Sequence, residues 1–263
     1  LNIYGGNIMM NNMSLEYQKG TQSGLNQFQI KILMAFLMVF DHIHYIPGLL
    51  PEPVVGIFHV ITRIVGVWFA YCAVEGVMHT HNIKKYSIRL FTWAGIMLIG
   101  NQILNNMYSV KKIYITNNIF MTIAVGVLMI VILRKINNKL ISYLSTAFIF
   151  LAGALFTEGG LTILPFMLIT YLTYDKKKAR NISYIVLSIL LFLTSFNDYG
   201  DISSTLDMLA FNSDFMFIFV LPFIYLYNGE RGGDSKFSKY FFYVFYPAHL
   251  WIIMTIACLL YTS

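Results

Sequence analysis

The sequence predicts an all-α fold, a polytopic bundle of about nine membrane-spanning helices with its N-terminus on the cytoplasmic side. Three observations carry this. Hydrophobic residues make up 57% of the chain and charged ones 11%, against about 25% charged in soluble domains, and the mean hydropathy is +0.65. Apolar runs long enough to cross a hydrocarbon core of roughly 30 Å recur along the chain. The basic residues gather in alternate connections, as they do when short cytoplasmic loops retain Lys and Arg.

The elements follow in order. Residues 1–27, rich in Asn, Gln, Gly and Met with almost no periodicity, read as a flexible tail. The opening Leu implies a start at Met9, Met10 or Met13, or a fragment, and no cleavable signal peptide is expected. Residues 28–263 read as a single transmembrane domain, with spans at about 28–50, 54–78, 88–105, 118–134, 140–157, 160–174, 182–197, 205–227 and 240–261. With the N-terminus inside, fifteen of the 18 basic residues fall on inner segments, and Lys111 and Lys112 alone fall on outer loops. Arg63, inside the second span, completes the set. The net charge of +6 therefore reads as anchoring at an anionic lipid surface, with no nucleic-acid partner. Cys72 and Cys258 are isolated in apolar spans and read as packed small hydrophobes. No metal site, P-loop or dinucleotide-binding glycine pattern is present in the sequence.

Titratable groups at hydrocarbon depth are costly to keep there, so those that occur mark candidate function. The first span carries Asp41, His42 and His44. Lys31 precedes His42 by eleven positions, three helical turns with about 20° of drift, so the two share nearly one face about 16 Å apart along the axis. Neighbours on a helix point about 100° apart, so Asp41 and His42 do not form a dyad by adjacency. Asp41 is better placed to meet His44, or Arg63 across the first loop, and an Asp41–Arg63 ion pair holding two helices together is one reading of both. His59 and Arg63 share a face, but His44 and His59 read as interfacial bystanders and His81 as a solvated loop residue. His249 lies near the middle of the last span and reads either as an alternative base or as a histidine hydrogen-bonded between packed helices. Asp198, Asp201, Asp207 and Asp214, with Asn101 and Gln102, complete a set that lines one outward cavity in this reading.

Near the inner surface Glu75 and His79 are one turn apart and lead into Lys84, Lys85 and Arg89. These basic residues serve either topology alone or a site for a cytoplasmic polyanion.

Several stretches together resemble the TraX family, multi-pass proteins named for acetylation of conjugative pilin. They are "KILMAFLMVFDHIHYI", "RIVGVWFAYCAVEGVMHTHNIKKYSIRL", "NNIFMTIAVGVLMIVIL" and "LYNGERGGDSKFSKYFFYVFYPAHL", in order over about residues 28–256. The specific parts are Asp41-His42, Arg63 with Glu75-Gly76 and His79-Thr80, Tyr227-Asn228-Gly229 with Arg231-Gly232, and Phe245 to His249. That family is similar in turn to membrane acyltransferases, marked by a basic residue, ten intervening residues and a histidine in the first helix, as at Lys31 and His42.

The resemblance implies acetyl-CoA or another acyl-CoA as donor, with a catalytic His42 and a CoA-binding Lys31. Around them Asp41, Arg63 and His249 are expected at the chemical centre. Glu75, His79, Lys84, Lys85, Arg89, Asn228, Arg231 and Tyr246 are expected along the donor's path. Asp41 or another carboxylate would orient the imidazole, and Arg63 or Asn101 would stabilise an oxyanion. The acceptor, a hydroxyl or amine of a peptide, glycan or small molecule, would enter from outside a bacterial cytoplasmic membrane. A proton-coupled transporter is the competing expectation, since buried Asp, His and Arg also build proton relays, and a receptor or scaffold without chemistry is a third.

Overall fold

A computed structural model describes residues 24–109, 114–233 and 235–260. The expected tail up to residue 23, with Lys19 and the candidate starts, lies outside the described residues, as do Lys111 and Lys112. Every regular element among the described residues is a helix, and every expected apolar segment carries helix.

Helix α1, Gln27–His42, starts at a capping box in which Asn26 accepts the Gln29 N–H while Gln29 accepts the Asn26 N–H. Its backbone amides at Gln27 and Phe28 donate to the carbonyls of Glu230 and Arg231, so the 226–231 turn is bound to the start of α1. The first helix was expected to run to residue 50. Instead it gives way after His42 to a 3-10 turn, Ile43–Tyr45, ahead of Pro47 and a left-handed Gly48. His42 therefore sits at the end of α1, where the backbone tightens.

Helix α2, Glu52–His79, is the central element. It packs against α1, against α4 (Ile119–Lys135), α6 (Gly160–Leu172) and α8 (Ile202–Phe211), and against a 3-10 run, Ser213–Val220. Its Trp68, Ala70 and Val74 are fully enclosed. Helix α3, Ile83–Met107, lies along α4, and α10, Lys236–Leu260, closes the bundle against α1 and α3. Gly100 on α3 gives the room α10 needs, since a Cβ there would meet the Trp251 ring. Helix α7, Lys177–Ser195, packs on the 3-10 run.

Helix α5, Lys139–Phe156, is peripheral and turns Leu144, Phe148, Leu151 and Leu155 outward. That spacing makes one continuous apolar stripe that nothing among the described residues covers, the surface a helix presents to lipid. Among the described residues three helices, α2, α5 and α10, are by length and composition long and apolar enough to cross a membrane. A fourth crossing results if α8 and the segment Ser213–Leu226 count as one. The protein is a helical membrane protein.

The eighth expected span, 205–227, is not one rod. Helix α8 ends at Phe211, the axis bends by 54°, and the chain continues through the 3-10 run into α9, Leu221–Leu226. The break turns Asp214 inward, where it meets Arg63 and Thr162.

Candidate active site

Two adjoining chambers lie in the bundle among the described residues. The larger, about 560 Å³, is enclosed by α1, α2, α3, the 227–233 turn and the start of α10. Its charged lining is Lys31, Glu75, Arg89, Arg231 and Lys239, with His79 and His81, the latter expected only as a solvated loop residue. Lys31 donates to Gln27 at 3.0 Å and lies over the Phe242 ring at 5.7 Å. Arg89 is sandwiched between the rings of Tyr86, at 5.3 Å, and Tyr243, at 5.6 Å, and its Nε donates to the Tyr243 hydroxyl. Cation–π attraction to two rings, with the bond to the Tyr243 hydroxyl, holds the guanidinium in place while leaving its other donors for a ligand. Glu75 reaches His79 at 3.4 Å, and His79 Nε2 meets the Tyr174 hydroxyl at 2.9 Å.

The smaller chamber, about 250 Å³, is lined by Asp41, His42, Thr62, Arg63, Glu158, Thr162, Asp214 and Tyr246. The two share Phe69, Phe120, Ile123 and Phe242, so the cation-lined and histidine-lined chambers adjoin at an apolar collar.

Within the histidine chamber the ionic groups form one network. Asp41 accepts the Thr62 hydroxyl at 2.6 Å and lies 3.6 Å from Arg63. Arg63 NH1 pairs with Asp214 at 3.2 Å, its Nε donates to the His59 carbonyl and its NH2 meets His59 Nδ1. Thr162 donates to the other Asp214 oxygen. The expected Asp41–Arg63 ion pair is thus present, and Asp214 enlarges it to tie together α1, α2, α6 and the 3-10 run. His59, expected as a bystander, holds Arg63.

On the far wall Glu158, in the turn between α5 and α6 ahead of left-handed Gly159, accepts three donors. They are Asn117 Nδ2 at 2.7 Å, the Asn118 N–H at 2.6 Å and the Tyr246 hydroxyl at 3.2 Å. His42 is 4% exposed. Its Nδ1 lies 3.0 Å from the Met38 carbonyl and 3.0 Å from His249 Nε2, while its Nε2 is 3.9 Å from Asp41. Tyr45 and Tyr246 flank the ring.

The structure redistributes several expected site residues. Lys84 and Lys85 are exposed in the first turn of α3 and line neither chamber, because the face turned inward is that of Tyr86, Arg89 and Leu90. Asn228 stays outside as well: its Oδ1 accepts the Glu230 N–H and fixes the turn that presents Arg231. Tyr246 stands beside His42 rather than among the cations.

Asn101, expected as a possible oxyanion donor, lines neither chamber: its Nδ2 donates to the Asn117 carbonyl and its Oδ1 accepts the Trp251 indole N–H. Arg63 has two carboxylates against its guanidinium, which neutralise it as an oxyanion partner. Asp198, Asp201 and Asp207 are exposed and line neither chamber. Asp201 instead caps α8, where the Ser204 N–H holds its carboxyl below the usual carboxylate range.

Glu158, Thr62 and Thr162 escaped the sequence reading, and Lys239 was read only as a topological charge. Glu158 left one signal, an acid beside two glycines at the break between two apolar runs.

The fold and site define a helical membrane protein with a cation-lined chamber set against a buried histidine. Residues 26–257 match the family described as TraX protein, and the chain belongs to that family. It is also similar to the probable fimbrial assembly protein FimC, serogroup H1, of Dichelobacter nodosus, with 25% identity over 186 residues, 67% of this chain and 73% of that protein. No solved structure matches.

Proposed function

We propose that this protein is a membrane acyltransferase that takes an acetyl or other short acyl group from cytoplasmic acyl-CoA. The acceptor is a hydroxyl or amine reaching His42 from the opposite side of a bacterial cytoplasmic membrane. In this reading the helical segments make about nine crossings with the N-terminus inside, and the family's link to pilus and fimbrial assembly sets the setting for the acceptor. The observation that carries it is the junction of the two chambers. Lys31, Arg89, Arg231 and Lys239 line one, His42 lines the other, and the same four apolar residues line both.

The fit to the donor is chemical. Four cations against one carboxylate, Glu75, suit the phosphates of coenzyme A. The Lys31-to-His42 rise of about 16 Å suits the reach of a pantetheine arm. Lys31 and Arg89 bind the phosphates, and the collar excludes water from the thioester. His42 Nε2 removes the acceptor's proton as the acceptor attacks the thioester carbonyl. The carbon–sulfur bond breaks, the acyl group stays on the acceptor, and the proton held by His42 passes to the departing thiolate.

The Asp41–Arg63–Asp214 array favours a second reading, a proton-coupled transporter. Purified protein in sealed vesicles, given labelled acetyl-CoA, separates the two. Donor binding with release of free thiol supports the transferase. If acetyl-CoA neither binds nor loses its acyl group, and a proton gradient is dissipated by a solute instead, the transporter reading replaces it.

A further inference from the structure

His42 and His249 come from helices at opposite ends of the chain, and both are almost wholly enclosed, at 4% and 7% exposure. Their rings meet through Nδ1 of His42 and Nε2 of His249 at 3.0 Å. Which nitrogen carries the hydrogen follows from the outer partners. His249 Nδ1 is 2.9 Å from the Phe245 carbonyl, which can only accept, so Nδ1 holds the hydrogen of a neutral His249 and Nε2 holds a lone pair. The hydrogen in the shared contact therefore belongs to His42 Nδ1. The Met38 carbonyl, also 3.0 Å from that nitrogen, is a second acceptor and requires the same assignment. Neutral His42 is left with its lone pair on Nε2, the nitrogen nearer Asp41.

This arrangement changes which group does the work of an orienting carboxylate. Asp41 stands on the Nε2 side, where its Oδ2 is 3.9 Å away, beyond hydrogen-bond distance, while its Oδ1 takes the Thr62 hydroxyl and Arg63. On the Nδ1 side the side-chain acceptor is an uncharged imidazole. An acceptor on one ring nitrogen fixes the ring's rotation and raises the basicity of the other nitrogen. His249 is itself held by the Phe245 carbonyl and by stacking on the Phe245 ring at 5.1 Å, so it presents its lone pair in one direction.

We infer that His249 is a positioning residue: its Nε2 accepts the His42 Nδ1 hydrogen, aims His42 Nε2 into the chamber and supports the positive charge His42 gains when it takes the acceptor's proton. The inference rests on the acyltransferase reading and adds to it a neutral histidine in place of a carboxylate. The proton taken from the acceptor stays on His42 Nε2 until the thiolate receives it, and none is transferred to His249.

Three forms of the full-length protein test it. His249→Phe keeps the aromatic packing on Phe245 and removes the acceptor. It should lower kcat about 10-fold or more while leaving the KM for acetyl-CoA unchanged. His249→Gln places an amide oxygen the same number of bonds from the backbone and should recover most of the lost rate. Independently of turnover, the wild type labelled with nitrogen-15 histidine should show scalar coupling between His42 Nδ1 and His249 Nε2, absent in His249→Phe. Unaltered kcat in His249→Phe, a Gln variant as slow as the Phe variant, or no coupling in the wild type would each overturn the inference. Coupling present in a wild type that transfers nothing would instead keep the hydrogen bond and remove the acyltransferase reading together with the positioning role.

Discussion

Arg63 shows how much one residue's meaning depends on its neighbours. As a lone cation in an apolar run it reads as a site for negative charge in a reaction. Between Asp41 and Asp214 it is the neutralising centre of a network that spans four elements. Arg63→Gln leaves two carboxylates facing each other without compensation, whereas Asp214→Asn leaves Arg63 its pair with Asp41. The first should therefore lower the detergent-state Tm clearly and the second little. Because both partners are partly exposed, the Arg63 loss should be about 1–2 kcal/mol rather than the several expected for a buried pair. Thermal melts of the two variants check it, and equal shifts would mean that Asp214, not Arg63, organises the network. His42 and Asp41 were legible as candidates because buried titratable residues stand out against apolar runs. Glu158 was not, because it lies between helices, where an acidic residue is ordinary.

At the scale of the helix, the question is which face a charge occupies. The basic residues Lys84, Lys85 and Arg89 fall within the first two turns of α3, and in the sequence topology alone would account for their charge as well as a site would. The helix divides them: Arg89 enters the cation chamber between two tyrosines, while Lys84 and Lys85 remain on the surface. Lys31→Gln and Arg89→Gln should each raise the KM for acetyl-CoA more than they lower kcat, with an effect that shrinks at high salt. Lys84→Gln and Lys85→Gln should leave that KM unchanged. Initial rates over a range of donor and salt concentrations decide it, and equal effects from all four would assign the basic run to bulk attraction rather than to a site. Apolar run length located every helix here, yet it did not show where α1 stops or that the eighth segment bends. Both are set by turn geometry at Gly48 and Asn212 and by the polar contacts that the bend allows Asp214 to make.

For the molecule as a whole, membrane character was plain from composition, but sidedness rests on charge distribution. If basic connections lie in the cytoplasm, Asn82, at the start of α3, is inside, and Asp198, between α7 and α8, is outside. Single-cysteine variants at the two positions, treated on intact cells with a membrane-impermeant maleimide, should label at 198 and not at 82. The reverse pattern would invert the bundle and put the cation chamber on the wrong side for a cytoplasmic donor. The pairing of the two chambers was not readable from sequence. It depends on α10 returning to α1, bringing Phe242, Tyr246 and His249 beside Lys31 and His42 across more than two hundred residues.

The most direct measurement compares wild type and His42→Ala for acetyl-CoA binding and for thiol release at saturating donor in the presence of an amine or hydroxyl acceptor. The two forms should bind the donor with the same Kd, and the variant should release thiol about 10²- to 10⁴-fold more slowly. Equal rates of release, or a variant that fails to bind acetyl-CoA at all, would contradict the placing of chemistry at His42 and of the donor's phosphates in the chamber beside it.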